Sequence, residues 1–166
     1  MNLYKLIRSG LVRRWHTDPD MAHTGETNAQ HQWAVASLVL ALHPAPSLDL
    51  VREALWHDVG EMGCGDLPAP FKMARPDIAA PHAEAEAEAR AAICPVAELS
   101  GSDLDWLILA DRLAAWLWMA ERAPWLMFDD PAWGCDERML LGVAERLGCG
   151  LPVEALIAVY RRRWPE

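Results

Sequence analysis

Apolar residues recur along this chain at three- and four-residue intervals, and the two-residue alternation of a half-buried strand is nearly absent. The spacing predicts helices over roughly 2–9, 28–43, 48–62, 77–93, 103–122, 136–147 and 152–163. Prolines 44, 46, 68, 70, 76, 95, 124, 131 and 152 fall between these segments or at their starts, where a missing N–H does least harm. No Asn-Gly or Asp-Gly turn separates alternating runs. An all-α fold is expected. The run HAEAEAEAR from His82 to Arg90 does alternate, but Ala and Glu are helix formers, so it reads as a partly exposed helix with solvated glutamates.

Ionisable residues interrupt three of the apolar stripes. His31, Val35, Leu38 and Leu42 share one face of the second helix, which directs His31 at the core. In the third helix the stripe Val51, Ala54, Leu55, Asp58, Met62 puts a carboxylate among apolar side chains, and in the fifth Leu104, Leu107, Ile108, Asp111, Ala115 repeats the pattern. A buried, unpaired carboxylate is costly, so it neutralises, pairs with a cation or binds a metal. His57 lies about 100° round the helix from Asp58, and both can reach one point. Taken singly, each residue has a plainer explanation: a hydrogen-bonded core histidine, or Asp111 paired with Arg112 or Arg52. Taken together, His31, His57, Asp58 and Asp111 point to a divalent metal of the Mn, Fe, Co, Ni or Zn group, since mixed imidazole and carboxylate donors suit these better than calcium. Glu61 follows Asp58 by three residues on the same helical face and can take a proton from water at such an ion; its plainer role is an exposed helix-terminal glutamate.

Charge and composition narrow the function by exclusion. A formal net charge of -9 disfavours a long nucleic acid, whose binding rests on many Lys and Arg contacts to phosphate. The 166 residues fit one domain, 1–166. No apolar run approaches the roughly 18 residues of a membrane span. The start, with Lys5, Arg8, Arg13 and Arg14, lacks the pattern of a signal peptide, so a cytoplasmic protein without membrane contact is expected. Cys64, Cys94, Cys135 and Cys149 form no CxxC pair and read as reduced structural thiols. Arg161, Arg162 and Arg163 read as a solvated helix end. Neither a P-loop nor a dinucleotide-binding glycine motif occurs.

The order His, His-Asp, Asp on separate helices comes with RRW at Arg13–Trp15, NAQHQWAVA at Asn28–Ala36, WHDVGEMGCGDLPAPFK at Trp56–Lys72 and ADRL at Ala110–Leu113. This set resembles the HD-domain phosphohydrolases, and within them the bacterial 5'-deoxynucleotidases and the short phage deoxynucleoside-triphosphate hydrolases. The resemblance implies a compact helical bundle in which the two His and two Asp hold a divalent metal (Co, Mn, Zn, Fe, Ni or Mg) and Glu61 is catalytic. It also implies that Arg14 and Trp15 contact the nucleotide, that the Gly65–Pro68 turn with Asp66 is a substrate-side loop closed by Lys72, and that the protein is a homo-oligomer, a dimer or larger. Two departures stand out: Ile108 occupies the place where the family often carries a phosphate-contacting Lys, and Gln30-His31-Gln32 replaces the common Glu-His-Ser.

The expected activity is therefore removal of the 5' phosphate group or groups of a 2'-deoxynucleotide. Monophosphate hydrolysis stands slightly ahead, because the candidate cations reduce to Arg13, Arg14, Lys72 and Arg75. The short spacing between His31 and His57 and the compact chain resemble the phage triphosphate hydrolases, which implies the alternative, a triphosphate hydrolase of the dATP type releasing tripolyphosphate. A reading from another class, a non-catalytic nucleotide-binding protein stabilised by a metal, is disfavoured by the intact Glu61.

Overall fold

A computed structural model describes residues 1–164, apart from the side chains of 69 and 70. Its helices are α1 (Leu3–Ser9), α2 (Asn28–Leu42), α3 (Leu48–Trp56), α4 (Glu61–Cys64), α5 (Ala69–Ala74), α6 (Pro76–Ala91), α7 (Gly101–Arg122), α8 (Leu126–Asp129), α9 (Pro131–Arg146) and α10 (Gly150–Arg163). The expected all-α class is observed; an isolated bridge between Arg13 and Thr27 is the sole β pairing among the described residues. The last two positions of the expected domain lie outside the described residues. No described helix is long and apolar enough to cross a membrane.

Caps explain where the main helices begin. Thr27 and Gln30 form a reciprocal capping box on α2, and the hydroxyls of Ser47 and Ser100 accept from backbone N–H groups in the first turns of α3 and α7. Asp130 caps α9 with Pro131 in its first turn, so that helix starts five residues earlier than its periodicity suggests. α7 forms the centre. Its residues Trp106, Leu109, Ala110, Leu113, Trp116, Met119 and Ala120 are buried against Val35 and Val39 of α2 and Leu50 and Ala54 of α3. Leu140 and Ala144 of α9 and Val153 and Ile157 of α10 complete the same core. Each large apolar side chain buried there contributes about 1.5–3 kcal/mol.

Two expected stripes are corrected. Leu104 and Ile108 are exposed, and Asp111 lies on the flank of α7 with its side chain 40% exposed. Trp106–Ala120 is apolar nearly all round, so periodicity alone could not fix which face turns inward. The third helix stops at Trp56 instead of 62, and residues 57–60 form a turn before α4. That turn presses against α6: a Cβ on Gly60 would lie 2.2 Å from the Glu86 carbonyl oxygen, and one on Gly63 would lie 3.0 Å from the Ala89 Cβ. Glycine lets α6 dock there, and Gly65, at φ 77, turns the chain out of α4 toward α5. The short helices α5 and α8 are absent from the expectation because four to six residues hold too few turns to show a period.

Candidate metal centre

Three chain segments converge where the first turn of α2 meets the middle of α7. The capping box sets the first turn of α2 so that Asn28 and His31 are fully buried. Residues 10–15 run alongside 26–29: Arg14 N donates to the Glu26 carbonyl at 3.0 Å, and Asn28 N donates to the Val12 carbonyl at 2.9 Å. This pairing lays Arg14 and Trp15 beside α2. The turn after α3 presents His57 and Asp58, and His57 Nδ1 lies 3.2 Å from the Ala54 carbonyl. With its Nδ1–H donating there, the Nε2 lone pair faces the centre.

Of the four expected ligands, His31, His57 and Asp58 come together as a group that could hold a metal, and Asp111 meets it through the two histidines. His31 Nε2 stands 2.8 Å from Asp111 Oδ1, 3.3 Å from His57 Nε2 and 3.7 Å from Asp58 Oδ2. His57 Nε2 is 3.3 Å from Asp58 Oδ2 and 3.7 Å from Asp111 Oδ1. Donor atoms bound at about 2.1 Å to one ion stand roughly 3–3.5 Å from each other, so this convergence fits a divalent metal. The alternative partners of Asp111 are engaged elsewhere: Arg52 pairs with Asp49, and Arg112 with Asp136.

The charge balance points the same way. Burial opposes charge on His57, yet the Asp58 and Asp111 carboxylates overcome it and hold the imidazole well above its ordinary 6.5. Burial likewise opposes charge on Asp58 and Asp111. Charge and hydrogen bonding from His57, with Arg14, keep Asp58 below the usual carboxylate range; hydrogen bonds from His31 and His57 do the same for Asp111. The cluster is built to keep positive charge at its centre, and a divalent ion answers that demand by displacing protons.

Glu61 begins α4 and is buried rather than exposed. Asn28 Nδ2 donates to its Oε2 at 2.8 Å. Burial, then the Asp58 and Asp66 charges, push its carboxyl up to about 8. Such a group exchanges protons near neutrality. Asp66 and Lys72 meet at the rim, 3.5 Å apart. Arg14 Nη1 donates to Asp58 Oδ2 at 2.5 Å, the same oxygen that faces His31 and His57. Trp15 sits at φ 60, donates its indole N–H to Glu26 and packs on the Trp133 ring at 5.9 Å.

Three residues of the centre escaped the sequence reading. Glu86 was expected to be solvated with the other glutamates of its helix, but α6 docks it within 4.8 Å of donor atoms of Asp58 and Glu61. Burial, then the Asp58 charge, raise its carboxyl above the ordinary value. Glu26 and Asn28 are buried polar residues at the entry to α2, where no period distinguishes inside from outside. Arg75 pairs with its neighbour Asp77 at the surface, and Arg13 is exposed. All four cysteines are free; Cys94 and Cys149 are buried as structural thiols would be, whereas Cys64 and Cys135 are exposed.

A dATP triphosphohydrolase of Salmonella phage PMBT28 is 29% identical to this chain over 147 residues, covering 80% of the chain and 73% of the phage protein. No solved structure gives a significant match. A sequence profile described as HD domain matches residues 11–112, more than half of the chain. It takes in Arg14, Trp15 and Glu26 at one end and closes just after Asp111, so that every residue of the centre lies within it. This chain belongs to the HD-domain family.

Proposed function

We propose that the chain is a metal-dependent hydrolase of deoxynucleoside 5'-phosphates, with the triphosphate as substrate and tripolyphosphate as leaving group. The observation that carries the reading is the convergence of His31, His57, Asp58 and Asp111 beside a buried Glu61 whose carboxyl is raised to about 8. When bound, the ion supplies Lewis-acid polarisation of a phosphate oxygen and acidifies water. Asn28 holds Glu61 by one oxygen, leaving the other to receive the proton of the attacking water. Arg14 fixes Asp58 and adds positive charge beside it. Lys72, its side chain 42% exposed, can leave Asp66 for a phosphate oxygen. Trp15 and Asp66 border the nucleoside. The phage relative, a dATP triphosphohydrolase, supports the triphosphate.

The monophosphate reading keeps one specific support: Ile108, one turn before Asp111, puts an exposed apolar side chain where a second lysine would serve a polyphosphate. Incubation with dATP and with dAMP in Co²⁺ or Mn²⁺ separates the two. Deoxyadenosine and tripolyphosphate from dATP support the first reading; orthophosphate from dAMP, with dATP untouched, establishes the second. Exposed Leu3, Tyr4, Ile7, Leu11 and Trp33 support self-association.

A further inference from the structure

Glu26 belongs to neither the ligand set nor any motif of the sequence, yet it is 1% exposed and donors from three site residues face it. Trp15 Nε1 donates to its Oε2 at 2.5 Å. Arg14 Nε stands 3.5 Å from the same oxygen, and His31 Nδ1 stands 3.9 Å from Oε1. Those last two nitrogens are buried and have no hydrogen-bond partner among the described residues. Buried N–H groups are rarely left unpaired, and a carboxylate movement of under about 1 Å would satisfy both. The backbone holds Glu26 in place, since its carbonyl accepts from Arg14 N at 3.0 Å. Trp15 also needs an anchor, because a bulky residue at φ 60 carries a backbone strain that its surroundings must offset.

We propose that Glu26 is the positioning residue of this centre, using its two oxygens for two separate tasks. Oε1 faces His31 Nδ1 and fixes the tautomer that carries its proton there, which leaves Nε2 free to ligate. Oε2 holds the Trp15 indole and keeps the Arg14 guanidinium against Asp58. The inference rests on the metal and nucleotide readings given above.

Two tasks on two oxygens can be separated. Full-length wild type, Glu26→Gln, Trp15→Phe and the double variant are stripped of metal and titrated with Co²⁺ by calorimetry. Hydrolysis of dATP is then measured at saturating Co²⁺. Glu26→Gln, nearly isosteric, is expected to lose tenfold or more in Co²⁺ affinity and to raise KM severalfold. Trp15→Phe is expected to raise KM with Co²⁺ affinity unchanged. In the double variant KM should be no worse than with Glu26→Gln alone. Wild-type Co²⁺ affinity in Glu26→Gln overturns the proposal, as does an equal loss of affinity in Trp15→Phe, which would indicate general loosening of the 10–15 segment. If the wild type binds Co²⁺ but cleaves neither dATP nor dAMP, the nucleotide reading fails while the Co²⁺ titrations still decide the His31 task. A wild type that binds no Co²⁺ overturns both.

Discussion

Replacing Glu61 with Gln should make the metal-free protein more stable and the enzyme roughly a hundredfold slower. In the folded chain burial and the charges of Asp58 and Asp66 raise this carboxyl from 4.5 to about 8. Because the folded value lies above the unfolded one, the folded state prefers the protonated form. The neutral carboxyl is carried without penalty below about pH 4.5, and stability is lost as pH rises from there through about 8. Complete ionisation would cost on the order of 5 kcal/mol, at 1.36 kcal/mol for each unit separating the two values. By pH 6 about 2 kcal/mol is already gone, or roughly 4–8 °C in Tm for a chain of this size. Gln has no such charge and keeps an acceptor for Asn28. The assay is thermal melting of metal-stripped wild type and Glu61→Gln between pH 5 and 9. Near pH 5 the two should melt close together, and the variant should gain on the wild type as pH rises. Turnover with metal should meanwhile fall roughly a hundredfold. Parallel Tm profiles across the range would refute the claim that Glu61 is buried beside Asp58.

Asp58→Ala and Asp111→Ala should each drop bound metal at least about tenfold, since the remaining three ligands hold an ion poorly; metal analysis of purified protein reads this, and full occupancy in both would remove them from the ligand set. Gly60→Ala should destabilise by about 2 kcal/mol or more, because its Cβ would meet Glu86 backbone at 2.2 Å and α6 must shift. Gly65→Ala meets no neighbour within 4 Å but, at φ 77 and ψ 166, enters backbone space nearly reserved for glycine and should cost about 1–3 kcal/mol; an unchanged Tm in Gly60→Ala would contradict the close approach at Gly60. Arg14→Lys should keep metal but lower kcat about tenfold, as an ammonium cannot serve Asp58 and Glu26 together; unchanged steady-state kinetics would argue that Arg14 only fills space.

The candidate metal ligands are legible in the sequence because charge inside an apolar run is conspicuous, and His31 shows it best: it lies one turn before the buried Val35. The stripe that singles out Asp58 assumes a helix to 62, whereas α3 ends at Trp56. The inference survived because adjacent residues can share a ligand point from a turn as readily as from a helix, whereas Leu55, placed on the same imagined stripe, proved 38% exposed. Asp111 survived for a similar reason, on the flank of a helix whose phase had been misjudged. Glu26 lies in irregular chain between a 3-10 turn and α2, so no period exists to show that it points inward. Glu86 was hidden by sameness. Glu84, Glu86 and Glu88 each have alanine on both sides, and what selects Glu86 is a tertiary event, the docking of α6 onto Gly60 and Gly63.

That docking also decides the electrostatics of the site. Asp58, Asp111, Glu26, Glu61 and Glu86 gather in one place, and Arg14 is the guanidinium paired with them among the described residues. Burial raises the Glu26, Glu61 and Glu86 carboxyls, so the centre resists taking up further negative charge. A polyphosphate approaching such a surface, on a chain whose formal net charge is -9, is repelled until a cation intervenes. For the proposed substrate, the divalent ion is then a condition of binding as well as of chemistry. The sparse cations of this chain, with Ile108 in place of a lysine, become intelligible on that basis: the charge that attracts the phosphates is carried by the ion, and the fold supplies the carboxylates that hold it.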